Sequence, residues 1–164
     1  MKHLATITVA LAAITALISA TPAFAASSTS ASLSNIIVTL TDLDLEDGIT
    51  PLLTWLDKGY TQVDGWAYDP LKSNFPSFAQ INPTDFVALN GSAATLLSQT
   101  SANTTGADFN TAGMQAHGSA LGDGASYRAV AFGDGYFTLS PHTHANFSAL
   151  ANIQAVTTVG YDGG

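Results

Sequence analysis

The sequence predicts an all-β protein, an antiparallel sandwich or jelly-roll-like fold with a long irregular loop in its middle. Three observations predict it. No stretch sustains a helical period, and turn punctuation by Gly, Pro, Asn and Asp recurs roughly every ten residues. Two segments, Ser34–Thr41 and the run after Pro141, alternate apolar and polar side chains as half-buried strands do. Asp134-Gly135 lies between the β-rich runs Ser126–Phe132 and Tyr136–Leu139, and Asp-Gly in that setting is the strongest short-range hairpin signal.

The elements follow in order. In Ser34–Thr41, Ile36, Val38 and Leu40 point one way and Asn35, Ile37, Thr39 and Thr41 the other. Asp42 to Gly48 breaks the pattern, and Pro51–Leu56 resumes it through Leu53 and Trp55. Gly59, Asp64-Gly65 and Asp69-Pro70 read as turns around short extended pieces that hold Tyr60, Trp66 and Tyr68. Lys72–Pro83, with Pro76, Pro83, Asn74 and Asn82, reads as the long loop. Phe86–Leu89 reads as a further strand, and Gly91–Gly106, rich in Ser, Thr and Asn, as loop or a short helix over Ala93–Ser98. In the last long strand Ala145, Phe147, Ala149, Ala151, Ile153 and Ala155 share one face. Asn146, Ser148, Asn152 and Gln154 share the other, with Leu150 intruding on the polar side. An apolar face built mostly of Ala requires an opposing sheet that comes close or offers large side chains.

The first residues give an address. Lys2 and His3 precede the uncharged apolar stretch Leu4–Ala20, and Thr21-Pro22-Ala23-Phe24-Ala25 supplies a small-x-small cleavage pattern. Residues 1–25 therefore read as a secretory signal, with no membrane span after its cleavage. Ala26–Ser32 reads as a flexible leader and residues 33–164 as a single sandwich domain. The expected location is secreted, extracellular or cell-surface, with the periplasm as the alternative.

After residue 25 three cations (Lys58, Lys72 and Arg128) stand against twelve acids, a formal charge of −9. Nucleic acid needs a basic footprint, so the charge excludes it as a partner, and an anionic lipid surface would repel the chain. Cysteine is absent, which removes disulfides, thiol catalysis and thiolate zinc sites. Two Trp, five Tyr and seven Phe after residue 25 supply a core for one domain of about 139 residues.

Asp42-x-Asp44-x-Glu46-Asp47-Gly48 packs four carboxylates into six residues around a glycine turn. Alternating oxygens on such a turn suit Ca²⁺, so Asp42, Asp44, Glu46 and Asp47 are the candidate ligands. The spacing departs from the EF-hand, since Asp47 stands at the sixth position and Leu53 at the twelfth. The simpler reading is a solvated turn in which Asp42 and Asp44 cap backbone N–H groups. His142 and His144 read as sharing one face where the last strand begins, within reach of one Zn²⁺ or Cu²⁺; His117 is the only other histidine after the signal. No serine sits in a nucleophile elbow, and a single Glu among loop-borne Asp residues offers no preferred glycosidase pair, so no catalytic residue is assigned. Tyr60, Trp66 and Tyr68 read as core and loop anchors, with a sugar-stacking platform as the competing use. Three matches to the glycosylation sequon (Asn90, Asn103 and Asn146) read as ordinary polar residues behind a bacterial-looking leader.

Two segments, Leu40-Thr-Asp-Leu-Asp-Leu-Glu-Asp-Gly-Ile-Thr-Pro51 and Tyr136-Phe-Thr-Leu-Ser-Pro-His-Thr-His-Ala-Asn-Phe-Ser-Ala149, resemble a family of uncharacterised secreted proteobacterial proteins of the PEP-CTERM-associated type. The resemblance implies a β-sandwich exposed on or outside the cell and implies no reaction. This chain lacks the sorting motif, so no anchor carries over. In that family further strands normally follow the last one seen here. The expectation is thus a chain incomplete at its C-terminus, or a strand edge that another chain fills by self-association. The expected function is a non-enzymatic surface or matrix protein, with a carbohydrate- or Ca²⁺-binding module as the alternative and a small secreted hydrolase third.

Overall fold

A computed structural model describes residues 26–158 except Asp85, Phe109 and Asp123, and of residues 57–59 only the backbone. Residues 1–25, the expected secretory signal, and residues 159–164 lie outside the described residues. Among the described residues eight strands run in the order β1 Ala26–Asp42, β2 Leu53–Tyr68, β3 Ser77–Asn82, β4 Asn90–Ala94, β5 Ser98–Thr105, β6 Gly113–Leu121, β7 Ser126–Leu139 and β8 Thr143–Thr158. They form two packed antiparallel sheets, one of five strands in the order β4-β5-β6-β1-β8 and one of three in the order β3-β2-β7, a β-sandwich. No helix among the described residues is long and apolar enough to cross a membrane.

The run Ala26–Ser32 is not a flexible leader. It is the first half of β1, hydrogen-bonded to β6 on one side and β8 on the other. Its small polar residues lack the apolar signal of a strand, and pairing along both edges holds them instead. Thr29 and Leu33 face inward; the register to β8 then shifts between Ser34 and Ile37, where Asn35 takes φ 53°. Asn tolerates that left-handed backbone. The extra residue flips the alternation, so Ile36, Val38 and Leu40 face inward as their spacing predicts while Ile37 is exposed.

Several sequence-based boundaries move. Gly59 and Asp64-Gly65 interrupt nothing, because β2 runs through them with a bulge between Leu56 and Gly59. Gly65 and Gly91 instead make room for Phe78, whose ring lies where a Cβ at either position would go. Phe78 belongs to β3, which occupies part of the segment read as one long loop. Gly91–Gly106 is neither loop nor helix; it forms the β4–β5 hairpin. Phe86–Leu89 is not a strand, though Leu89 exchanges hydrogen bonds with Thr104. Gly133-Asp134-Gly135 is not a hairpin turn. β7 passes straight through it, opposite Gly59, Tyr60 and Thr61 of β2.

The core joins Leu33, Ile36, Val63, Phe86, Met114 and several alanines, with Trp55, Phe78 and Phe147 packed at its margin. Buried β5 hydroxyls staple the sheets together: Ser98 Oγ donates to the carbonyl of Tyr68 at 2.8 Å, and Thr100 Oγ1 to that of Arg128 at 2.8 Å. The three-stranded sheet packs across β4, β5 and β6, and meets β8 where Trp55 and Phe137 contact Phe147. From Ala149 to Thr158, β8 is exposed on both faces.

Candidate functional site

Three places gather the side chains that the sequence singles out. The first is the acidic loop after β1. Asp42 Oδ1 accepts the Asp44 N–H at 2.9 Å, Asp44 Oδ1 the Glu46 N–H at 3.2 Å, and Asp47 Oδ1 the Ile49 N–H at 2.7 Å. Gly48 closes the turn at φ 69°. Each of the three aspartates caps the backbone two residues ahead, the short-range bond that makes Asp a turn former. Their second carboxylate oxygens do not all converge. Asp44 and Asp47 share a point with His142, their nearest ligand atoms all within 4.8 Å of one another; Asp42 and Glu46 stand outside that set.

His142 comes from the turn before β8, tied to the loop by the Leu43 N–H donating to the His142 carbonyl at 2.7 Å. It does not share a strand face with His144. Its φ of 52° takes it out of the β8 pleat and brings Nδ1 to 2.7 Å from Asp47 Oδ2 and 3.6 Å from Asp44 Oδ2. His144 sits in β8 opposite Thr41, and His117 on β6 opposite Ser30. The hydrogen bond that His142 makes to the Asp47 carboxylate raises the His142 pKa most; desolvation opposes it, and the charges of Asp47, Asp44 and Asp42 add to the rise. The Ile49 N–H and then His142 hold the Asp47 carboxyl below its ordinary range. Two carboxylates and one imidazole form a mixed oxygen–nitrogen set, whereas Ca²⁺ takes six to eight oxygens. Ser140 does not complete a catalytic set with this pair. Its hydroxyl lies 2.7 Å from Thr143 Oγ1, accepts the Leu52 N–H and donates to the Thr50 carbonyl.

The second place is the outward face of the three-stranded sheet. Tyr60, Trp66 and Tyr68 are not core residues; they lie half-buried on that face at alternate positions of β2. Their rings spend themselves on each other's neighbours. Trp66 stacks on Phe75 at 4.9 Å, Tyr68 reaches the same ring at 5.9 Å, and Tyr60 packs on Phe132 at 5.0 Å. Between these groups Arg128 pairs with Asp64, whose other oxygen accepts from Gln62. No sequence pattern marks Phe75 as the lid over Trp66.

The third place is β8 itself. It is an edge strand, paired with β1 on one side and with no strand on the other among the described residues. Ile153 is 71% exposed, Val156 55% and Leu150 51%. Apart from His144 the strand carries no ionisable side chain. Protein-family models, curated proteins and solved structures were all compared with this chain, and none matches.

Proposed function

We propose that this chain works outside the cytoplasm as a non-enzymatic β-sandwich of the cell surface or matrix, and that it assembles with copies of itself by strand addition at β8. The observation that carries the reading is the open β8 edge with its exposed apolar side chains. Unpaired strand edges are templates for further pairing, and proteins that avoid it blunt them with lysine, proline or short length. β8 has none of these devices. It is 16 residues long and holds neither Lys nor Pro.

Charge selects the occupant. After residue 25 the chain carries a formal −9, so two copies repel over most of their surfaces. The β8 edge is where two copies meet without acid facing acid. An antiparallel β8–β8 joint about a two-fold axis is self-complementary, as a dimer interface must be. It sets the Ala149, Ala151 and Ile153 face of one copy in line with the same face of the other. The signal-like pattern of residues 1–25 supports a location outside the cytoplasm. The two segments that resemble secreted surface proteins also meet each other at the turn before β8, since Ser140 donates to the Thr50 carbonyl and Asp47 pairs with His142.

Light scattering across a concentration series tests the reading. The protein should move from one copy to two as concentration rises. Ala151→Lys, at an exposed edge position, should weaken association at least about tenfold, because lysine at a strand edge blocks pairing. A protein that stays monomeric throughout, or an Ala151→Lys variant that associates as well as the parent, refutes it.

A further inference from the structure

The outer face of the five-stranded sheet has a composition unlike the rest of the chain. Strand register sets its side chains in rows: Asn90, Asn103, Gln115, Ser32 and Asn152 form one, and Ser92, Ser101, His117, Ser30 and Gln154 the next. Neither row holds an acid, a lysine or an arginine, in a chain where acids outnumber those cations three to one. At the β6-β1-β8 end the face dips into a trough of about 470 Å³. Gln115 and His117 form one wall and Asn152 and Gln154 the other, while the short Ser30 and Ser32 side chains leave the floor low. No described residue takes up the hydrogen-bonding groups of these six side chains.

The chemistry of the trough narrows what fits it. Without a carboxylate it offers a hard cation only neutral amide and hydroxyl oxygens and no compensating charge. Without Lys or Arg it has no permanent cation to clamp a phosphate or carboxylate, His117 being its one ionisable group, and the net negative charge opposes both. A peptide binds a sheet through the main chain of an open edge. Here the floor strand β1 already pairs on both sides, so only side chains are on offer. What remains is a ligand that is uncharged and rich in groups that both donate and accept. An amide presents donors beside an acceptor, and a serine hydroxyl does both, which matches the adjacent hydroxyls of a sugar ring. Walls two strand spacings apart, roughly 9–10 Å between backbones, admit one chain of such rings along β1.

We propose that the trough over β1, lined by Ser30, Ser32, Gln115, His117, Asn152 and Gln154, binds a single neutral polysaccharide chain. The site lies within one copy and does not rest on assembly through β8.

Native gel electrophoresis of the purified protein in gels cast with dextran, laminarin or galactomannan, and with alginate as the acidic counterpart, tests it. At least one neutral polysaccharide should retard the protein and alginate should not. The double variant Asn152→Ala/Gln154→Ala on one wall, and Gln115→Ala on the other, should each weaken that retardation. The double variant should do so about tenfold, the effect of losing one or two such hydrogen bonds. Ile81→Ala, on the other sheet, and Ala151→Lys, aimed at the edge joint, should bind as the parent does. Mobility unchanged in every neutral gel, equal retardation by alginate, or full retardation of both wall variants overturns the proposal. So does loss of retardation in Ala151→Lys, which would assign binding to the assembled form.

Discussion

β8 passes through two environments, and the difference between them explains most of this molecule. At its start Phe147 packs edge-on to Trp55, with ring centroids 6.4 Å apart, and against Phe137 at 5.3 Å. His142, just before it, is clasped by Asp47. From Ala149 onward the alternation of side chains continues unchanged, yet every residue to Thr158 is exposed. Alternation records the pleat of a strand, not the presence of a second layer. Burial needs an opposing sheet, and a three-stranded sheet cannot cover one of five strands.

The largest expected effect comes from breaking the anchored half. Phe147→Ala should cost about 2–3 kcal/mol, somewhat under the cost at a fully buried phenylalanine because this ring is only half-buried. Ile153→Ala, the matching change on the exposed half, should stay within about 0.5 kcal/mol. Urea denaturation at low protein concentration reads both. An Ile153→Ala cost equal to that of Phe147→Ala would mean the distal half is covered in the folded monomer.

A second contrast lies in two identical tripeptides. Gly122 and Gly124, flanking Asp123, join β6 to β7 with φ 94° and 72°, a backbone that glycine adopts freely. Gly133-Asp134-Gly135 lies extended inside β7. There a Cβ on Gly133 would meet Phe86 at 2.6 Å and Met114 at 2.8 Å, and the buried Asp134 accepts the Tyr60 N–H at 3.0 Å beside the β2 bulge. Gly133→Ala should therefore overpack the core at about 1–3 kcal/mol. Gly122→Ala, with open space around it, should cost about 1 kcal/mol from backbone strain alone. Substituting a larger residue separates them further, since Gly133→Val should worsen sharply while Gly122→Asn should not. Thermal melts of the four variants check the ranking.

The same pair shows what the sequence can and cannot reveal. The β-sandwich was legible because Ser34–Thr41 and the first residues of β8 alternate apolar and polar side chains. Both Gly-Asp-Gly segments satisfy the local rule for a hairpin, and tertiary packing decides between them. β5 was illegible for another reason. Ser98, Thr100 and Thr104 are buried, and they bond to Tyr68 and Arg128 across the sandwich and to Val87 in the β3–β4 connection rather than contributing apolar bulk. The carboxylate turn was readable from its spacing, but the partnership of Asp47 with His142 was not. It depends on a left-handed residue where the sequence suggested a strand. The trough over β1 lay further out of reach, because its walls come from residues about 40 positions apart on strands joined only through β1.

The smallest effect sharpens the anchored end. The hydrogen bond to Asp47 raises the His142 pKa above its ordinary 6.5, so His142 holds its proton more firmly in the folded state than in the unfolded chain. That contribution is complete below 6.5 and fades as pH rises through the folded value. Asp47 runs the other way. The Ile49 N–H and His142 lower its pKa from 3.8, so its contribution holds above 3.8 and fades as pH falls through the folded value. The clasp should thus be fully made between pH 3.8 and 6.5, and loosen on either side. The His142 side chain is more than half exposed, so the change in global stability will be slight and the titration itself is the sensitive measure. In an NMR pH titration the His142 ring should titrate above 6.5 in the parent and return toward it in Asp47→Asn. Ile153→Ala, at the far end of the strand, should leave it unmoved. A His142 ring that titrates identically with Asp47 and with Asn at that position would show that the clasp does not form in solution, leaving β8 held by its pairing with β1 and by Phe147.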